Sequence, residues 1–202
     1  MKYLARHQIS LILLIVIFFL IGCNVKYVCL NMPKNNITTY EYPINIVDLR
    51  KLIIDNFNLF KNELQCSEFY GKLYEKDTIV NKTILRKVFA EDKNKYDLVF
   101  DGYAGHSQLY ITTQGEKISY FASFHIHFEV INDNKTKTEI KTLNPRIDVP
   151  TNFFITHAPG FYKMYNVEPS TIEEYKILLT IGKLLGIENN MPPIILPESQ
   201  IQ

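Results

Sequence analysis

Apolar positions recur at helical spacing after Asn45. Ile46, Leu49, Ile53, Phe57, Phe60 and Leu64 fall on one face, and Leu52, Ile54 and Leu59 widen it. The spacing predicts a core helix over 46–64, capped by Asn45 with Asp48 in the favourable first turn, continuing or kinking through Glu68 to Tyr74. From Thr83 the pattern changes to short β-rich runs at 84–90, 96–104, 108–113, 117–131 and 137–147. Between them stand the turn residues Glu91 to Asn94, Gly105-His106, Gln114-Gly115 and Asn132 to Asn134. Sequential hairpins predict an antiparallel meander. Alternation is clearest from Ser119 to Ile131: Tyr120, Ala122, Phe124, Ile126, Phe128 and Val130 point one way, and Ser119, Ser123, His125, His127 and Glu129 the other. The first set is expected to face the core and the second to face water.

Residues 148–168 hold Pro150, Pro159 and Gly160 among aromatics, and read as a long loop with one short strand. The run 171–185 then predicts a helix, with Ser170 or Thr171 as cap, Glu173 or Glu174 completing a capping box, and Gly186 as the stop. Its inner stripe is Ile172, Tyr175, Leu178, Leu179, Gly182 and Leu185. The expected fold class is α+β: an antiparallel meander sheet of about five strands, flanked by an N-terminal and a C-terminal helix packed on one face. Prolines make 191–202 an extended tail, and 45–190 is expected to be a single domain.

The N-terminus has a different pattern. Lys2 and Arg6 precede a run, Ile9 to Gly22, in which only Ser10 and Gly22 are not strongly apolar. Such a run rises only about 20 Å as a helix, short of the ~30 Å hydrocarbon core. It ends in Leu20-Ile21-Gly22-Cys23, which resembles the lipobox of bacterial lipoproteins, a likeness confined to residues 1–24. The resemblance implies that 1–22 is a signal peptide removed on export, that Cys23 is diacylglycerated and becomes the first mature residue, and that 23–44 is a lipid anchor and tether. Two or three acyl chains hold a protein on a bilayer where one alone is marginal. Asn24 is not the Asp that retains Gram-negative lipoproteins at the inner membrane, so the expected address is the outer membrane, facing the periplasm, with the inner membrane as the alternative.

Composition narrows the partners. Losing residues 1–22 removes two of the 22 basic residues and none of the 21 acidic ones, so the mature chain is nearly neutral and a nucleic-acid partner is not expected. With Cys23 lipidated, Cys29 and Cys66 remain as an even pair that an oxidising compartment would let bridge. Three sequons, at Asn36, Asn81 and Asn134, follow from a chain rich in Asn, Lys and Ile.

Candidate chemistry is sparse. His125-Ile126-His127-Phe128-Glu129 places two imidazoles and a carboxylate on one strand face, a spacing that chelates zinc or copper if another strand adds a ligand. A bare His-x-His is also what an ordinary solvated face looks like, so neither metal nor cofactor is expected. His106 and Ser107, with Asp97 and Asp101 upstream, invite a hydrolase reading but lack a nucleophile elbow. His157, Phe161, Tyr162 and Tyr165 belong to an aromatic stretch suited to recognition. The expectation is therefore a lipid-anchored envelope protein without catalytic activity that binds another protein, for instance as a toxin-neutralising immunity lipoprotein. Binding of a small apolar ligand or a metal is the alternative, and hydrolysis the third choice.

Overall fold

A computed structural model describes residues 26–31, 36–65, 73–75, 95–150 and 162–197. Its centre is a meander of three long strands, β4 (Leu98–Thr112), β5 (Lys117–Asn132) and β6 (Lys135–Pro150). Four short strands complete a seven-stranded antiparallel sheet. On the outer edge of β4, β1 (Tyr27–Cys29) pairs with one end and β3 (Leu73–Glu75) with the other. On the outer edge of β6, β2 (Thr39–Tyr42) and β7 (Tyr162–Asn166) do the same. Short strands along both edges occupy backbone groups that would otherwise be open to pairing with another chain.

Helices α1 (Ile46–Asp55), α2 (Phe57–Glu63) and α3 (Ile172–Leu184) cover one face, which is the α+β arrangement expected. The helical stripe Leu49, Ile53 and Phe60 meets Phe100, Phe124, Ile126, Phe128 and Ile140 in one apolar core with Tyr175, Leu178 and Ile181 of α3. The buried Tyr42 hydroxyl donates to the Leu178 carbonyl at 2.6 Å, fastening β2 to α3. Among the described residues, no helix is long and apolar enough to cross a membrane.

Several elements depart from the sequence expectation. The single helix over 46–64 is broken at Asn56, whose side-chain amide donates to the Leu52 carbonyl at 2.9 Å and so competes with the helical ladder. The turn expected at Gly105-His106 is instead strand, merging two predicted runs into β4. There the Tyr103 ring lies so close over Gly105 that a Cβ would come within 2.5 Å of its hydroxyl. Asn45 caps α1 as expected, accepting from the Asp48 N–H at 2.9 Å. The capping box at α3 does not form. Thr171, the cap residue, is left-handed, and Ser170 Oγ accepts from the Ile172 N–H and donates to the buried Glu173 carboxylate.

Much of the segment read as tether is built into the domain: β1 and β2 lie within 23–44, and the Asn36 side chain donates to the Ile195 carbonyl at 2.8 Å and accepts from its N–H at 2.7 Å. Strands of three or four residues are too short to show a period. Burial of Asn36 also makes it unsuited to carry a glycan, whereas Asn134 is exposed at the β5–β6 turn. The signal-peptide residues 1–22, Cys23 and the strand expected at 84–90 lie outside the described residues.

Candidate functional site

The even-numbered residues of β5 from Tyr120 to Phe128 enter the core, as the alternation predicts, whereas Val130 near the hairpin tip is 55% exposed. The opposite face is not uniformly solvated. His125 and Ser123 are buried there, although both were expected to face water. Asp97 accounts for His125. Antiparallel pairing of Leu98 with Ile126 and of Val99 with His125 brings Asp97, the residue just before β4, alongside the two histidines.

The Asp97 side chain is fully buried, with its Oδ2 2.9 Å from His125 Nε2. His127 Nδ1 lies 3.2 Å from both carboxylate oxygens, and the Phe128 backbone N–H donates to Oδ1 at 3.2 Å. An uncompensated carboxylate in such a place would cost several kcal/mol. Here both oxygens are engaged, which makes the burial affordable. Without a metal, the imidazole N–H groups donate to the carboxylate, which sets the His125 Nε2–H and His127 Nδ1–H tautomers.

The same atoms form a ligand set. One oxygen and two nitrogens converge, all within 4.8 Å of one another. Donors bound tetrahedrally to zinc at ~2.0–2.1 Å stand about 3.3 Å apart, close to the Asp97–imidazole separations. Three protein donors leave at least one coordination position for water or an exogenous ligand. Two nitrogens and one carboxylate oxygen suit zinc and other first-row divalent ions. The Phe128 N–H holds the carboxylate from behind, the kind of support that orients metal ligands.

The other sequence candidates are not drawn into this cluster. Glu129 shares the strand face but is exposed at the hairpin end, where its directly opposed neighbour Lys137 holds it at 2.9 Å. That contact is also the main cause of the lowered Glu129 pKa. The hydrolase set is dispersed: His106 is exposed, Ser107 Oγ accepts from the Leu109 and Tyr110 N–H groups, and Asp101 accepts from Ser123 at 2.8 Å. Tyr162 is exposed on β7, and Tyr165 packs against Tyr27 with ring centroids 4.9 Å apart. His157 and Phe161 lie outside the described residues, as does Cys66. Cys29 is an exposed free thiol on β1, and its pairing with Cys66 rests on the sequence alone.

Searched against protein-family models, curated proteins and solved structures, the chain matches none.

Proposed function

We propose that the mature chain is a lipid-anchored envelope protein that acts by binding, and that the sheet face carrying His125 and His127 binds a divalent transition-metal ion. One observation carries the metal reading: a fully buried carboxylate, Asp97, converges with the two imidazoles of a His-x-His strand. The sequence alone offered two of these donors on a face expected to be wet. The third donor and the burial favour the alternative function over a purely structural surface. The lipobox-like Leu20-Ile21-Gly22-Cys23 supports the envelope address.

Metal analysis of the full chain, purified in detergent and equilibrated with zinc, tests the reading. About one equivalent per chain is expected, lost in the His125→Ala, His127→Ala double variant. Sub-stoichiometric zinc in the parent, or zinc retained by the double variant, would overturn it. Capture of a protein partner is a second reading, supported by the exposed Val130 and Ile131 at the β5–β6 tip and Tyr162 and Met164 on β7. Replacing Val130 and Ile131 with Ser should abolish co-purification of such a partner while leaving zinc content unchanged.

A further inference from the structure

On the sheet face that carries the histidines, β4 and β6 each contain an irregularity opposite the same short stretch of β5. Between Phe100 and Tyr103 one extra residue enters β4, and between Leu143 and Arg146 one enters β6, opposite Phe121 to Ser123. Both places hold a residue at positive φ, Gly102 at 81° and Asn144 at 49°. A bulge on one strand bends it and re-aims its side chains. Two bulges on either side of one strand open a pocket of about 360 Å³ lined by Asp101, Gly102, Phe121, Ser123, Asn144 and Arg146 among others. That volume lies at the low end of small-molecule sites.

The pocket has opposite charges on its two sides. On the β4 side, the Asp101 carboxylate accepts from the buried Ser123 hydroxyl at 2.8 Å, which fixes its position. On the β6 side, the Arg146 guanidinium lies over the Phe121 ring at 5.0 Å and forms no salt bridge among the described residues. An arginine held on an aromatic face keeps its hydrogen-bonding edge available for a carboxylate. Asn144 adds a neutral amide beside it.

We propose that this pocket binds a free zwitterionic amino acid, its ammonium on Asp101 and its carboxylate on Arg146. Both charged groups lean over β5, Asp101 onto Ser123 and Arg146 onto Phe121, so they stand closer together than the two strand spacings, about 9.6 Å, that separate β4 from β6. A charge-assisted hydrogen bond of about 2.8 Å at each end therefore leaves at most about 4 Å between the ligand's charged groups. The ammonium and carboxylate of an α-amino acid, separated by one carbon, fall within that limit, whereas the ends of an extended dipeptide lie farther apart. The site is distinct from the Asp97 cluster, since Ser123 precedes His125 by two positions on β5, and it does not require a metal.

Calorimetric titration of the full chain in detergent, with and without EDTA, provides the test. The probes are L-alanine, L-glutamate and L-phenylalanine, with N-acetyl-L-alanine, L-alaninamide and dialanine as comparisons. At least one free amino acid should bind equally well in both conditions. Capping either of its charges, or introducing Arg146→Met or Asp101→Asn, should weaken binding roughly 10- to 150-fold, the range expected for a hydrogen bond between charged groups. Arg146 is exposed, so Arg146→Met should keep the parent circular dichroism spectrum. The proposal is overturned if none of the three amino acids binds, if capped forms bind as well as free ones, if Arg146→Met leaves affinity unchanged, or if dialanine is the tighter ligand. Loss of binding in EDTA alone would also overturn it, while leaving the metal reading standing.

Discussion

Glu174 should make this protein less stable as pH rises from mildly acidic to mildly basic. Its side chain lies between α3 and the sheet and is only 2% exposed. One carboxylate oxygen accepts from the Thr142 hydroxyl, and the other, Oε2, is buried with no partner among the described residues. Burial is the largest influence on this carboxyl and raises its pKa from 4.5 to about 7, with the neighbouring Glu173 adding to the rise. The folded state therefore holds the proton more tightly than the unfolded chain. The stabilisation associated with neutral Glu174 is complete below 4.5 and is lost as pH climbs through about 7. At about 1.36 kcal/mol per unit, the loss amounts to about 3 kcal/mol, or roughly 6–12 °C in Tm for a domain of this size. Glu174→Gln keeps the shape but cannot ionise. Urea denaturation followed from about pH 4.5 to about pH 8 should show the parent losing about 3 kcal/mol more than the variant. The amide has no partner at the Oε2 position either, so the variant carries a pH-independent cost of about 1–3 kcal/mol at every pH. Only the difference in slope matters. Glu173, whose carboxyl burial also pushes up, is present in both proteins, so the effect of its own burial cancels in that difference, while its repulsion of an ionised Glu174 is part of the Glu174 effect being measured. Parallel stability curves would refute the assignment of a buried, proton-holding Glu174.

Three further outcomes are expected. Cys23→Ser should abolish labelling by a palmitate analogue and release the domain from membranes; unchanged labelling and fractionation would remove the lipoprotein reading. Asn36→Ala should cost about 1–3 kcal/mol in urea denaturation and speed hydrogen exchange at the Ile195 amide, because the substitution removes both bonds between the N-terminal segment and the tail; an unchanged exchange rate would contradict it. Gly105→Ala should cost about 1–3 kcal/mol by pushing the Tyr103 ring off its place, and Tyr103→Leu in the same chain should recover part of that loss; full stability of the single variant would show that the ring moves aside freely.

Patterns that repeat within a few residues were legible in the sequence. The stripe Leu49, Ile53 and Phe60 marked the helical face of the core, and Tyr120 to Phe128 marked the inner face of β5, because local periodicity and burial obey the same geometry. The α+β class follows from that alone. The candidate centre was not legible, because it depends on how many residues the bulges insert. Extrapolating from the pairing of Ile111 with Lys117 without irregularities would set His127 opposite Asp101; the shifts along β4 bring Asp97 there instead. Asp97 could thus be seen as a carboxylate but not as the partner of His125 and His127. The edge strands β1 and β2 were hidden for a related reason, since their order comes from hydrogen bonds to β4 and β6 rather than from any pattern of their own. Local sequence determined which faces are apolar and where helices and strands alternate. Register, set by bulges and by contacts between residues far apart in the chain, decided which polar groups meet on the other face, and a shift of even one residue there exchanges the side chains that face each other.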